Sequence, residues 1–288
     1  ADLARRGLRP GDAIAAVLPF HPEAVALYLG ILLAGCACVS IAESFPAPEI
    51  AVRLRLAGAK AVFTQETILR GGKGIPLRKR VAEAAAAAGG IPVLAVPAGG
   101  GAPAEGVPRG PDDAAGILFS SGTTGDPKAI PWTQTTPIKC VSDAWLYHDV
   151  RPSDVLAWPT SLGWMMGPWL VFAGLANGAA VALYDGAPGG APFRRFVAEA
   201  GVTMLGVVPS LVKAWRVSGD AGDAAAGGAA DWSRVRRFSS TGECSNADDM
   251  MWLMSRVPGY APVVEYCGGT EIGGGYIASV LSQPNIPS

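Results

Sequence analysis

Short uncharged apolar runs alternate with helix-length segments from the start of the chain, and this alternation restricts the fold more than any other feature. Residues 13–18 read as a strand, and Pro22 opens a helix to Leu33. Residues 36–41 are strand-like, and Pro48 starts a helix to Leu56. Residues 61–64 are again a strand, 79–88 a helix and 91–96 a strand. Strands alternating with helices of about 10–15 residues predict βαβ units and parallel sheets. Two stretches, 97–111 and 220–230, are rich in Gly, Pro or Ala and read as surface inserts. At its start the chain reads as the last turns of a helix stopped by Gly7; at its end it trails off in Gln-Pro-Asn-Ile-Pro-Ser, and both ends look like cuts through a longer protein.

Residues 24–42 and 155–184 carry no charge, long enough in each case to suggest a membrane span. Internal punctuation argues otherwise. Gly35 divides the first; Pro159, Gly163, Gly167, Pro168 and Asn177-Gly178 divide the second. A buried helix, a glycine stop and a buried parallel strand account for both, and no span is expected. Half the residues are hydrophobic and 16% charged, which excludes disorder. A net charge of −1 gives no electrostatic footprint for nucleic acid. Five cysteines are too few and of odd number for a disulfide framework, and two histidines without a CxxC pair argue against zinc.

The sharpest chemical motif is Ile117-Leu118-Phe119-Ser120-Ser121-Gly122-Thr123-Thr124-Gly125-Asp126-Pro127-Lys128. An apolar strand enters a loop of hydroxyls and glycines closed by a lysine. Such a loop suits polyphosphate: glycines let backbone N–H groups approach the anion, hydroxyls donate to its oxygens, and the ammonium offsets its charge. It is not a Walker A loop, because Pro127 stands where that pattern needs its second glycine.

The segment 120–128 resembles the phosphate loop of the adenylate-forming (AMP-binding) enzymes, which include acyl-CoA synthetases, luciferases and peptide-synthetase adenylation domains. Three further segments follow in that family's order. Ser239-Ser240-Thr241-Gly242-Glu243-Cys244 resembles its strand-end adenosine-binding segment. Glu265-Tyr266-Cys267-Gly268-Gly269-Thr270-Glu271 resembles its acidic-or-Asn, aromatic, Gly, x, Thr-Glu segment, and Leu162-Gly163-Trp164-Met165-Met166-Gly167 the Gly-Trp-x-x-Gly segment of the acetyl-CoA-synthetase branch. The resemblance is strongest to plant acyl-activating enzymes of that branch. It implies an α/β fold of layered parallel and mixed sheets flanked by helices, a partial AMP-binding domain over 1–281, a tail at 282–288, and a small C-terminal domain that lies outside this chain.

The resemblance also implies roles. Ser120, Ser121, Gly122, Thr123, Thr124, Gly125 and Lys128 would hold the β- and γ-phosphates, and Thr270 the α-phosphate. Glu271 would hold Mg2+. Gly242, Glu243, Cys244, Glu265, Tyr266 and Cys267 would surround the adenosine, with Glu265 near the adenine amino group. Lys128, Thr270 and Glu271 are the catalytic candidates. Trp164, Met165, Gly167 and Gly268 would line the acyl pocket; at Gly268 acetate-specific members carry a Trp, so space for a larger acid is expected. One ATP is expected to touch 120–128, 241–244 and 265–271. The implied reaction joins a carboxylate to ATP and passes the acyl group to coenzyme A, in fatty acid metabolism, in the cytoplasm or the peroxisome. The ribose-binding Asp, the hinge and the catalytic Lys of the family have no counterpart here. Cys267 replaces the usual aromatic residue, and Cys244 a common Pro.

Two other readings stay open: a non-catalytic nucleotide-binding remnant, and an amidase-type serine hydrolase, because Ser-Ser-Gly also occurs in Ser-Ser-Lys hydrolases. His21 reads as a loop residue and His148 as a satisfied structural histidine. Trp158, Trp164, Trp169, Met165 and Met166 read first as core, with Trp164 and Met165 the best placed to face an acyl chain.

Overall fold

The computed structural model describes residues 2–70, 73–97, 105–120, 125, 127–219 and 231–282. The contacts divide them into two compact units where the sequence reads as one domain. One unit comprises Ala1–Thr136 with Thr160–Pro168, the other Pro137–Pro159 with Trp169–Ser288. The insert at 220–230 and residues 98–104 of the insert at 97–111 lie outside the described residues.

The first unit opens with α1 (Asp2–Arg5), β1 (Ala13–Val17), α2 (Pro22–Leu33), β2 (Ala37–Ile41), α3 (Ala47–Leu56) and β3 (Ala61–Thr64). It continues with the hairpin β4 (Thr67–Arg70) and β5 (Lys73–Pro76), then α4 (Leu77–Ala87), β6 (Val93–Ala95), β7 (Ala114–Ser120) and β8 (Lys128–Thr133). Its main sheet runs β6-β3-β1-β2-β7-β8. Neighbours are parallel except β7 and β8, which pair antiparallel. The predicted alternation is therefore present, and α2 and β3 have the predicted bounds. Proline is the first residue of α2 and the second of α3, within the first turn, where its missing N–H costs nothing. His21 caps α2 by accepting from the Ala24 N–H at 3.1 Å. A core of Val17, Val39, Ile50, Leu54, Val62, Leu77 and Val81 lies between this sheet and α3 and α4.

The second unit contains most of α5 (Thr136–Leu146), β9 (Val155–Ala157), most of α6 (Met166–Leu175), β10 (Ala180–Ala182), α7 (Gly190–Glu199), β11 (Met204–Val207) and α8 (Pro209–Ser218). It ends with β12 (Arg237–Ser240), α9 (Ala247–Met254), β13 (Val263–Gly269), one 3-10 turn (Thr270–Ile272) and β14 (Gly274–Ala278). The sheet order is β10-β9-β11-β12-β13-β14, again parallel until the last pair, β13 and β14. Its core collects Phe193, Val197, Leu205, Val212, Trp215, Trp232, Phe238 and Leu253.

The uncharged stretches resolve as the glycine and proline signals require. Residues 24–42 become most of α2, a left-handed Gly35 and β2. Residues 155–184 become β9, α6 and β10. No described helix is long and apolar enough to cross a membrane.

Candidate nucleotide site

The phosphate-loop candidate joins β7 to β8. Ser120 ends β7 and pairs in register with Lys128, the first residue of β8. The loop thus leaves a strand end, as expected, and Lys128 stands exposed at its far side. Ser121, Gly122, Thr123 and Thr124 lie outside the described residues. Gly125 has φ +99°, a conformation that suits glycine and few other residues.

In the second unit the segments 241–244 and 265–271 meet at the carboxyl ends of β12 and β13, where ligands bind in open α/β sheets. The Thr241 hydroxyl donates to the Tyr266 carbonyl, and the Ser245 hydroxyl donates to Glu265 Oε2 at 2.8 Å. Gly242 has φ +91° and makes the turn between them. Burial pushes the Glu265 carboxyl above its ordinary range, while the Ser245 bond opposes that rise. Ser245 carries no motif of its own. Its signal was its position, five residues beyond Ser240, with which it also shares a hydrogen bond at 3.1 Å.

Two side chains in the segments assigned to adenosine are engaged within the protein. The Tyr266 side chain points inward. Successive strand residues point to opposite faces, and Tyr266 takes the inner one: its ring is fully buried, and its hydroxyl donates to Asp143 Oδ2 at 2.5 Å and accepts from Trp169 Nε1 at 3.1 Å. Cys267, next along β13, is exposed. Glu243 is likewise engaged within the protein. Its carboxylate accepts from the Ser210 N–H at 2.8 Å and the Ser210 hydroxyl at 3.0 Å, at the N-terminus of α8, where a negative charge is favoured.

Thr270 and Glu271 lie on the single 3-10 turn between β13 and β14, with Glu271 exposed. The turn closes on Gly273 at φ +60°. An exposed carboxylate is the donor type that Mg2+ takes alongside substrate phosphate oxygens, so Glu271 fits the expected ion.

Gly268 lies against the backbone of β14. A Cβ there would lie 2.2 Å from the Gly274 carbonyl oxygen, so the glycine is required by the approach of β14 at a β-bulge. Close approach also explains the Gly-Trp-x-x-Gly segment. A Cβ on Gly163 would lie 2.0 Å from the Ala42 nitrogen, and one on Gly167 2.1 Å from the Ser161 carbonyl oxygen. Between them Trp164 is half-exposed, its ring 5.8 Å from that of Phe45, and Met165 is partly buried. Trp158 and Trp169 pack together in the core of the second unit, as expected of them.

His148 is structural. It is fully buried, with Nδ1 3.3 Å from the Asp143 carbonyl oxygen and Nε2 2.9 Å from Ser239 Oγ. A carbonyl can only accept, so the neutral ring carries its proton on Nδ1 and accepts from Ser239 at Nε2. This Ser–His pair has no exposed face for a substrate. An apolar cavity of about 350 Å3 in the first unit, lined by Leu27, Ile31, Phe63 and others, includes none of the motif residues.

Comparison with known proteins gives the family. The family model described as "AMP-binding enzyme" matches residues 1–287. The chain belongs to that family. It is 49% identical to a hexanoyl-CoA synthase of Cannabis sativa, over 98% of this chain and 41% of that protein. It is 48% identical to a probable peroxisomal acyl-activating enzyme 17 of Arabidopsis thaliana, with the same coverage. Among solved structures it superposes on an acetoacetyl-CoA synthetase from Streptomyces lividans with a TM-score of 0.84 and 28% identity, over 97% of this chain and 46% of that one. The chain therefore spans less than half the length of these relatives.

Proposed function

We propose that this chain carries the ATP- and carboxylate-binding part of an AMP-forming acid–thiol ligase. The observation that carries the proposal is the meeting of 241–244 with 265–271 at the carboxyl ends of two adjacent parallel strands, followed directly by the exposed Thr270–Glu271 turn. Relatives named hexanoyl-CoA synthase and acyl-activating enzyme support the same reading.

In this reading the substrate carboxylate attacks the α-phosphorus of ATP, pyrophosphate leaves, and the thiol of coenzyme A then takes the acyl group from the acyl-adenylate as AMP departs. The chain positions the reactants and neutralises charge. Residues 120–128 hold the distal phosphates, with the Lys128 ammonium against them. Thr270 donates to the α-phosphate. Glu265, steadied by Ser245, accepts from the adenine amino group. Glu271 would hold Mg2+, which would offset phosphate charge. Trp164, Met165, Gly167 and Gly268 are assigned to the acyl site, where backbone packing rather than an open void explains both glycines. The relatives named as peroxisomal make the peroxisome the first compartment to examine.

Calorimetry with ATP and AMP tests the phosphate assignment. A charge-assisted contact is worth about 1.5–3 kcal/mol, so Lys128→Ala is expected to weaken ATP binding about 10- to 100-fold and AMP binding little. Equal losses for the two nucleotides would remove Lys128 from the distal phosphates.

A further inference from the structure

We infer that Lys139, Cys140 and Asp143 of α5 are positioning residues that hold the Thr270–Glu271 turn in its working shape. The inference rests on the assignment of that turn to phosphate and Mg2+.

The β13–β14 hairpin is poorly equipped to hold itself. Its turn-proximal pairs are Gly268 with Gly275 and Gly269 with Gly274, so no side chains pack across it there. A bulge interrupts the register beside Gly268, and β14 is the edge strand of the sheet. Glycine pairs lack the cross-strand contacts that stiffen a hairpin, and glycine loses the most freedom on ordering. A turn built this way needs support from outside.

One face of α5 provides it. Residues 139 and 143 stand one helical turn apart, with 140 beside them. Lys139 Nζ donates to Asp143 Oδ1 at 2.5 Å and to the Gly275 carbonyl at 2.9 Å. Asp143 Oδ2 accepts from the Gly275 N–H at 2.9 Å and from the Tyr266 hydroxyl at 2.5 Å. Cys140 Sγ donates to the Gly273 carbonyl at 3.2 Å. Both backbone groups of Gly275 are thus bound by the two members of one ion pair. Tyr266 fixes the incoming strand on the same carboxylate that fixes the outgoing one.

The fit leaves no slack. A Cβ on Gly274 would lie 2.6 Å from Asp143 Oδ2, and one on Gly275 2.5 Å from the Tyr266 ring. The glycines let the hairpin descend onto the helix, and the helix side chains then replace the missing cross-strand contacts. Asp143 and Cys140 are buried, whereas Glu271 is exposed beyond the clamp. The helix residues hold the turn's flanks at Gly273 and Gly275, and through them the direction in which Thr270 and Glu271 point.

The test measures ATP binding to the purified chain as a function of Mg2+ concentration, with amide hydrogen exchange as a second readout. Lys139→Met is expected to raise the half-saturating Mg2+ concentration about tenfold and to speed exchange at 272–276, while β12 keeps its protection. Lys139→Arg, which retains the cation, restores most of the Mg2+ response. Because Lys139→Met strands a buried carboxylate and could unfold the unit, Cys140→Ala serves as a second variant. It removes one contact, leaves no unpaired charge, and is expected to shift the Mg2+ response about threefold in the same direction. Glu271→Gln separates the inference from its premise. If that substitution leaves the Mg2+ response unchanged, the assignment of the turn is wrong. If it shifts the response while folded Lys139→Met and Cys140→Ala do not, the positioning role is wrong. Faster exchange at 272–276 with an unmoved Mg2+ response would reduce the clamp to a stability feature and overturn the inference too.

Discussion

Cys244 and Cys267 are exposed, whereas Cys36, Cys38 and Cys140 are buried. Burial raises all three inner thiols, that of Cys38 to about 12, so they hold little reactive thiolate at neutral pH. The two outer thiols sit in the segments assigned to adenosine, which turns them into reporters. Iodoacetamide is expected to modify Cys244 and Cys267 first, and saturating ATP to slow Cys267 severalfold, as peptide mass mapping would show. An unchanged rate at Cys267 with ATP demonstrably bound would move the adenine elsewhere. The pair Tyr266 and Cys267 also shows what was legible at this scale. The motif puts Tyr266 in a segment assigned to adenosine, where an aromatic suggests stacking. Only the pleat reveals that Tyr266 faces Asp143 and Trp169. The Lys139–Asp143 pair was hidden for a similar reason. Opposite charges four apart on a helix ordinarily mark a solvated face, and nothing nearby in sequence announces a hairpin more than a hundred residues away.

The buried carboxylate of Asp154 ties three strands of the second sheet together. It precedes β9, accepts from the Thr203 hydroxyl at 2.7 Å beside β11, and accepts from Arg237 Nη2 at 2.6 Å in β12 and Arg236 Nη2 at 2.5 Å just before it. Arg237 is itself almost fully buried. Removing one partner of a buried pair leaves an uncompensated charge, at a cost of about 3–5 kcal/mol. Asp154→Asn is therefore expected to lower unfolding stability by about that amount in urea titration, and Asp154→Leu combined with Arg237→Met to recover part of it. A loss under about 1 kcal/mol for Asp154→Asn would show the pair to be peripheral. Elements with strong apolar periodicity, such as β1, α2 and β2, were legible from sequence to within a residue or so. The β4–β5 hairpin was not, because Lys73-Gly74-Ile75-Pro76 offers no alternation and little burial. Nor was β8, whose Pro131 argues against a strand. The proline is tolerated because β8 is the sheet edge, where a missing N–H breaks no ladder. That edge position has a counterpart. In both sheets a loop assigned to ATP or Mg2+, 120–128 in one and 270–272 in the other, connects the last parallel strand to an antiparallel edge strand.

Each unit has its own sheet and its own core, so the two need not share one response to acid. His148, in the second unit, is neutral because burial lowers its pKa to about 4 from 6.5; the nearby Arg237 adds to that, while Asp143 opposes it. Above pH 6.5 the ring is neutral whether the chain is folded or unfolded. As pH falls from 6.5 towards 4, the unfolded chain takes up a proton that the folded core refuses. Stability then drops by about 3 kcal/mol across that window, about 2 kcal/mol of it by pH 5. Asp154 acts in the same direction at lower pH. Burial raises its carboxyl, but Thr203, Arg236 and Arg237 outweigh that and hold it well below its ordinary 3.8, so its contribution is present above 3.8 and is lost below it. The only other histidine, His21, is in the first unit and is partly exposed. Acid should therefore loosen the second unit first. Hydrogen exchange corrected for intrinsic rates, compared at pH 7.5 and 5.0, is expected to show protection falling about 30-fold in β11 and β12, and much less in β1 and β2. His148→Phe keeps an aromatic ring against Trp169 and Tyr266 but cannot take up a proton, so it should flatten the response of β11 and β12 whatever it costs in absolute stability. A loss of equal size in both units, or one that survives in His148→Phe, would place the acid-sensitive group elsewhere.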